Sequence, residues 1–392
     1  MKNIPLWKIK RELARIPGQI WKIPGATARY WLSTPYYDNV LSAREVITSG
    51  QLDPSKRVVI VVIFPLNGIQ LSHLKVLEYF SQRGFAPLLV SNLPIERSSL
   101  QLVEARCWKV IQRPNFGYDF GAYRSGVLYL EKILADLEQL VLINDSTWFP
   151  LPGSEDWLNA VESLDLDYTS AATSYGYKHV RTESYKDMEW EFDTFRKNFH
   201  YCSYALSIRP NVLKDRKFLK FWKSFRLSND KRITVRRGEM GLSKWVITSG
   251  YSHGSTWNEI HLQHELHKKT PRELKEILKA LILSEEHEYS LIDRITGSYS
   301  PSYAWKKEAI SAVLAFVAFY GVSYVMAADL ASRGFPFLKK SPAQWNVRSS
   351  ICLLNTIENL DQGDSVWLHK EAVQLASSIQ HEARTESEEI SQ

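Results

Sequence analysis

The run Arg57-Val-Val-Ile-Val-Val-Ile-Phe64 has no polar side chain after its first residue. An unbroken β-branched stretch of this length suits a strand buried on both faces, which requires a sheet covered above and below by helices. Pro65 ends it. Downstream the apolar pattern alternates. Ile69 to Arg83 places Leu71, Leu74, Val76, Leu77 and Phe80 at helical spacing and stops at Gly84, and Ala86 to Val90 reads as a second buried strand. A short helix near Ser98 to Glu104, a strand over Trp108 to Gln112, a helix over Gly121 to Leu137 and a strand over Gln139 to Ile143 complete a β-α-β-α-β-α-β series. That alternation predicts an α/β fold with an open, mostly parallel sheet and right-handed crossovers.

Beyond Asp156 the pattern loosens. Strands are expected at Tyr168 to Thr173 and Cys202 to Ile208, and helices at Tyr185 to Phe199, Phe218 to Phe225 and Glu239 to Gly250, followed by a helical C-terminal region. The last residues, Ile379 to Gln392, are polar and acid-rich without periodicity and read as a frayed tail. Ala309 to Ala328 carries no charge and is apolar on every side, so it suits either a helix buried in the protein or one spanning roughly 30 Å of hydrocarbon. The organisation read from these changes is a basic aromatic arm at 1–55, the sheet domain at 56–300, the apolar helix and a late motif at 301–345, and a helical, partly disordered tail at 346–392.

Composition narrows the partners. The net charge of +6 is unevenly placed: Lys2, Lys8, Lys10, Arg11, Arg15, Lys22 and Arg29 are opposed in the first 32 residues by Glu12 alone, with Trp7, Trp21, Tyr30 and Trp31 between them. Such an arm can lie on an anionic membrane surface, or it can be a solvated arm packing a few aromatics on the body. No helix-turn-helix, zinc-finger or RNA-binding signature accompanies the charge, so nucleic acid is not an expected partner. Cys107, Cys202 and Cys352 are odd in number, far apart and in no metal-ligand spacing, which predicts free thiols and a reducing compartment. Nothing at the N-terminus has the apolar core of a secretory signal, and a cytoplasmic location is expected.

Chemistry concentrates between Arg113 and Thr147. The loop Arg113-Pro-Asn115-Phe-Gly117-Tyr-Asp119-Phe-Gly121 opens a helix, and two glycines let backbone approach a ligand closely while the helix start aims N–H groups at anionic oxygens. The next strand ends in Asn144-Asp145-Ser146, where ligands collect in open α/β sheets. A carboxylate there can hold Mg²⁺ or Mn²⁺ against a diphosphate, or it can simply cap the following turn. The histidines His261, His264 and His267 wind around a helix and read as a solvated face.

Taken together, Arg-x-Asn-x-Gly-x-Asp-Phe-Gly-Ala-Tyr and Asn-Asp-Ser resemble the rhamnan synthesis protein F family of bacterial polysaccharide glycosyltransferases. Supporting motifs are His200-x-x-Ser203-Tyr204, Phe221-Trp222, Gly238-Glu239 with Leu242-Ser243, Gly250-Tyr251, and Gly334-Phe-Pro-Phe-Leu-Lys339, so the resemblance runs from about Arg57 to Lys340. It implies a GT-A-like glycosyltransferase that uses a nucleotide-sugar donor such as dTDP-rhamnose and a lipid-linked glycan acceptor. The product would be O-antigen of lipopolysaccharide, capsule or cell-wall polysaccharide, made by a peripheral protein at the inner membrane face. By that resemblance Asp145 stands at the metal and diphosphate position. Arg113, Asn115, Gly117 and Asp119 form the nucleotide loop, with Asn144, Ser91, Asn92 and Pro65 at its border.

An inverting transfer needs a base for the acceptor hydroxyl. Glu239 is the candidate, although a carboxylate at a helix start is also favoured by the helix dipole. Asp187 and Glu183 are the fallback bases, and His200 is either a ligand contact or a hydrogen-bonded structural residue. Ile143 and Thr147 stand where the usual Asp-x-Asp motif would have a second carboxylate. The alternative is therefore a non-catalytic glycan-binding or assembly subunit of the same fold.

Overall fold

The computed structural model describes residues 31–176, 182–187, 193–360 and 365–389, without the side chains of 182, 183, 187 and 378–389. The basic arm up to Tyr30 therefore lies outside the described residues. The first half contains β1 (Val46–Ser49), β2 (Arg57–Ile63), α1 (Leu71–Ser81), β3 (Ala86–Ser91), α2 (Arg97–Glu104), β4 (Lys109–Gln112) and α3 (Tyr118–Tyr129). Then come β5 (Gln139–Asn144), β6 (Thr147–Trp148), α4 (Trp157–Leu164), β7 (Tyr168–Ser174), β8 (His200–Tyr201) and β9 (Ala205–Ile208). A helical stretch follows: α5 (Pro210–Leu213), α6 (Arg216–Ser224), α7 (Lys231–Arg237), α8 (Glu239–Thr248) and, after β10 (His253–Trp257), α9 (Leu262–Lys268), α10 (Pro271–Lys279) and α11 (Glu286–Gly297). The C-terminal region holds α12 (Tyr303–Tyr320), α13 (Val322–Val325), α14 (Ala327–Ser332), β11 (Leu338–Lys339), α15 (Val347–Glu358) and α16 (Val366–Glu389).

The sheet runs in the order β1-β4-β3-β2-β5-β9-β7-β10, with β8 paired to β7. Its centre, β4-β3-β2-β5, is parallel as the alternation predicts, while β1 and β9 join antiparallel. The central strand β2 sorts its residues by the two-residue pleat: Val59, Val61 and Ile63 enter a core with Leu77 and Phe80 of α1, and Val58, Ile60 and Val62 enter another with Phe120, Tyr123 and Val127 of α3. Burial on both faces is what made its sequence uniformly apolar. The expected open, mostly parallel sheet with helices on both sides and a helical C-terminal region is borne out.

Several element expectations are corrected. The apolar segment Ala309 to Ala328 is not one helix: α12 stops at Tyr320 because Gly321 takes φ 91°, a conformation costly for any residue with a Cβ, and the chain restarts as α13 and α14. Among the described residues no helix is long and apolar enough to cross a membrane. Instead Ala309, Ala312, Val313, Ala315, Phe316 and Val317 are buried in the same core as α1, while Phe319 near the end of α12 is exposed. Of the helix expected over Tyr185 to Phe199, 188–192 lie outside the described residues, Thr182–Asp187 forms a 3₁₀ turn, and 193–199 are turns and bends, where Asp193 spends its side chain on the Phe195 N–H (2.8 Å) and diverts the backbone from helical pairing. Turn residues Ser203 and Tyr204 divide the strand expected over Cys202 to Ile208. The helix expected at Gly121 to Leu137 begins at Tyr118 and ends at Tyr129, and the tail expected to fray from Ile379 continues the α16 helix to Glu389. The three cysteines are unpaired, as expected.

The C-terminal region docks on the sheet through β11, which pairs antiparallel with β6 in the register Leu338 to Trp148 and Lys339 to Thr147. Beside it Phe337 stacks on Phe149 (4.4 Å between ring centroids) and meets Trp157 edge-on (5.5 Å). From α16, Glu371 accepts the Ser72 N–H (2.9 Å) and the Trp148 indole N–H (3.0 Å). Truncating the buried ring by Phe337→Ala should destabilise the fold by about 3–5 kcal/mol, read as a lowered midpoint in urea unfolding, and an unchanged midpoint would show that this stack carries no weight.

Candidate active site

At the carboxyl end of β5 the chain turns sharply into β6, and the turn is built from side chains. Asn144 Oδ1 accepts from both the backbone N–H (3.1 Å) and hydroxyl (2.6 Å) of Ser146, while its Nδ2 donates to Asp119 (3.0 Å) at the start of α3. Asp145 Oδ2 accepts the Phe64 N–H (2.7 Å) from the end of β2, and His73 Nε2 lies 3.5 Å away. The Gln70 N–H donates to His73 Nδ1 (3.1 Å), which leaves the ring proton on Nε2, aimed at Asp145. Burial pushes the Asp145 carboxyl up, but the His73 hydrogen bond and charge, the nearby Lys340 and the Phe64 N–H outweigh it and hold the group below the usual carboxylate range. Asp119 behaves oppositely: burial, then the charges of Asp145 and Glu239, push it up to about 7.

Glu239 opens α8 within electrostatic reach of Asp119. Its Oε1 accepts from the Ser203 hydroxyl and lies 3.4 Å from the Ser203 N–H; Oε2 stands 3.8 Å from His200 Nε2. Ser243, one turn along α8, accepts the Tyr201 N–H (2.9 Å) and donates to the Glu239 carbonyl (2.7 Å). A Cβ on Gly238 would lie 2.4 Å from the Phe120 ring, so the absence of a side chain at this position is what lets α8 seat against α3 and brings Glu239 within electrostatic reach of Asp119. Motifs far apart in sequence, His200-x-x-Ser203, Gly238-Glu239 and Leu242-Ser243, thus become one hydrogen-bonded unit. A cavity of about 320 Å³ opens beside it, lined by Thr173, His200, Glu239, Tyr324 and Lys339 among others.

Not every candidate faces this cleft. Arg113 is buried and spends its guanidinium on Tyr37 Oη (2.7 Å), Asn92 Oδ1 (2.5 Å) and the Phe116 carbonyl (2.8 Å), with the Tyr37 ring under its plane (4.7 Å). Ser91 turns its hydroxyl to the Leu93 carbonyl (2.6 Å). Arg113, Asn92 and Ser91 therefore brace the loop from within, a role that sequence spacing does not separate from ligand contact. Pro65 is buried at the turn after β2, Asn115 is exposed, and the Gly117 N–H is taken by Asn229 Oδ1 (2.8 Å). The side chains of Asp187 and Glu183 lie outside the described ones. His261, His264 and His267 are all exposed.

The residues missed are His73, Lys339 and Lys340. Lys340 reaches Ser72 Oγ (3.2 Å) and stands in the field of Asp145 and Glu371, and burial, its largest influence, lowers its pKa. The available signal was a pair of lysines ending the apolar run Phe335-Pro-Phe-Leu338.

Among the described residues no group of three His, Cys, Asp or Glu side chains could hold a metal ion. Asp145 fits a divalent cation only as a single carboxylate ligand, with substrate phosphates and water supplying the rest of the shell, as Mg²⁺ sites on phosphate substrates commonly do.

Residues 88–281 match the sequence model of the rhamnan synthesis protein F family. This is the family expected from the motifs, over a shorter span than Arg57 to Lys340; β2 and the late Lys339 motif fall outside it. The uncharacterized protein y4gN of Sinorhizobium fredii is 30% identical over 253 residues, which cover 64% of this chain and 61% of that protein. This chain thus spans less than two thirds of that curated relative. Among solved structures, similarity is found to a mannosyltransferase of Pyrobaculum calidifontis in complex with GDP-Man and Mn²⁺ (10% identity, 94% of this chain and 97% of that one, TM-score 0.28). It is also found to core-mannan synthase A of Aspergillus fumigatus in its Mn/GDP form (10% identity, 45% and 65%, TM-score 0.24). At these scores the site rests on its own residues.

The raised Asp119 pKa fixes a sign. Between its unfolded value near 4 and its folded value of about 7 the native state binds the extra proton, so this group's contribution to stability falls as pH rises through that window. Asp119→Asn should remove that decline: melting temperatures of the variant and the parent should converge near pH 4 and separate in the variant's favour by pH 7–8. Parallel melting curves across the whole range would contradict the assignment.

Proposed function

We propose that this chain is a glycosyltransferase that moves a sugar from a nucleoside-diphosphate donor to a glycan hydroxyl with inversion. The observation that carries the reading is the placement of Glu239, held by Ser203 and His200 beside a cavity and within electrostatic reach of Asp119, which Asn144 ties to the Asp145 turn. The acceptor oxygen forms its bond to the anomeric carbon as the bond from that carbon to the diphosphate breaks, with the electron pair leaving on the diphosphate. The hydroxyl proton passes to the Glu239 carboxylate. Ser203 fixes the carboxylate's direction, and Asp145, held ionised by His73 and Phe64, faces the donor side. A divalent cation bound at Asp145 would supply charge neutralisation for the leaving group.

The family's description, rhamnan synthesis, supports a rhamnosyl donor, which we extend to dTDP-rhamnose and to a role in bacterial O-antigen, capsule or cell-wall polysaccharide. A lipid-linked acceptor and attachment of the basic arm to the inner membrane face belong to the same proposal. The single carboxylate at the strand end favours the second reading, a glycan-binding subunit without turnover.

The deciding assay incubates the protein with a panel of nucleotide sugars, acceptor glycans and Mg²⁺ or Mn²⁺ and measures nucleoside-diphosphate release. Asp145→Ala should abolish release with the fold intact, and full activity in that variant would remove Asp145 from the site. Glu239→Gln should lose roughly 10²–10⁴-fold in turnover while donor affinity is kept; a variant that loses donor affinity instead places Glu239 on the donor. Donor binding without release in the parent protein selects the second reading.

A further inference from the structure

Lys339 is 7% exposed and is one of the residues lining the cavity that holds Glu239. Buried cations are ordinarily paired with an anion, because desolvation of an unpaired charge is expensive. Among the described residues Lys339 has no ion pair. It donates to Ser146 Oγ (3.2 Å), the residue after Asp145, and lies over the rings of Tyr204 (4.1 Å) and Tyr324 (5.1 Å). Two buried hydroxyls nearby also lack partners. Thr147 stands opposite Lys339 in the β6–β11 ladder, where facing residues share one side, and Thr173 lines the cavity; their Oγ1 atoms have no hydrogen bond although the residues are only 3% and 2% exposed. An ammonium with no ion-paired carboxylate, beside hydroxyls with no protein partner, presents the donors an oxyanion takes, and the carboxyl in its field, Asp119, is pushed up to about 7.

We infer that Lys339 is an anion-binding residue that receives a phosphate oxygen of a diphosphate, with Thr147 and Thr173 lending hydroxyls. Its contact with Ser146, at the strand end that carries Asp145, assigns that diphosphate to the donor. This source rests on the transferase reading, whereas the anion site does not. A lipid diphosphate offers the same chemistry, so the experiment carries both.

Binding of dTDP, GDP, inorganic pyrophosphate and geranyl diphosphate is measured calorimetrically on the full chain and on Lys339→Met, whose unbranched apolar stem preserves packing on the two tyrosines. Affinity for the nucleoside diphosphates and pyrophosphate should fall about 10- to 100-fold, and Lys339→Arg should restore most of it. Thr173→Val, which removes a hydroxyl without removing charge, should lower affinity about threefold to tenfold and serves if Lys339→Met does not fold. Loss confined to geranyl diphosphate overturns the donor assignment. Unchanged affinities in folded Lys339→Met and Thr173→Val, or no binding of any probe by the parent protein, overturn the site itself. Diphosphate binding that depends on Lys339 in a protein without sugar transfer would sink the transferase reading alone.

Discussion

Two residues from each of two distant segments, Thr147–Trp148 and Leu338–Lys339, hydrogen-bond as a short antiparallel ladder, and this pairing governs how the molecule is completed. It forms immediately after the turn that carries Asp145, so the strand end is closed by chain from the C-terminal region rather than left open to solvent. The backbone polar groups of a buried turn need partners, and β11 supplies them: the Lys340 N–H bonds the Ser146 carbonyl (3.1 Å). Phe337, Trp148 and Glu371 then fix the surrounding helices, and the same two residues that make the ladder deliver Lys339 and Lys340 to opposite partners.

The electrostatics of the cleft follow from that closure. Asp145 is surrounded by His73, Lys340 and a backbone N–H and stays ionised, whereas Asp119, a short distance away through Asn144, has acidic neighbours and keeps its proton toward neutral pH. Burial raises both of these carboxylates, which one asparagine joins, and the sign of their neighbours then sends them in opposite directions. The third, Glu239, is oriented by Ser203 and His200 across the cavity. Titratable groups whose surroundings shift their protonation this far mark a candidate functional site.

How much could be read in advance differs by element. The parallel centre of the sheet was legible because a strand buried on both faces has only apolar positions to offer. Asp145 and Glu239 could be singled out as candidates because they stand at a strand end and a helix start, whereas the partners that orient them, His73, Ser203 and His200, lie far away in the chain. The loop residues were less so. Arg113 and Asn92 carry the same functional groups whether they hold a ligand or a loop, and only the saturated guanidinium decides between the two. Likewise the charge-free segment at 309–328 had the composition of a membrane span, and a single glycine with positive φ together with burial of most of its side chains in the core made it a broken core helix.

By itself the sequence determined the order of strands and helices from Arg57 to Asn144, the central parallel sheet, the family resemblance and the chemical type of the strand-end turn, since these depend on local periodicity and on residues close together in the chain. Tertiary structure alone decided which charges meet. Glu239 finds Ser203 and His200 because Gly238 lets α8 close on Phe120, and Lys339 reaches Ser146 because β11 pairs with β6 across the chain. The physical reason is that burial and neighbouring charge fix a carboxylate's protonation and an ammonium's need for a partner, and both are properties of the folded surroundings rather than of the residue.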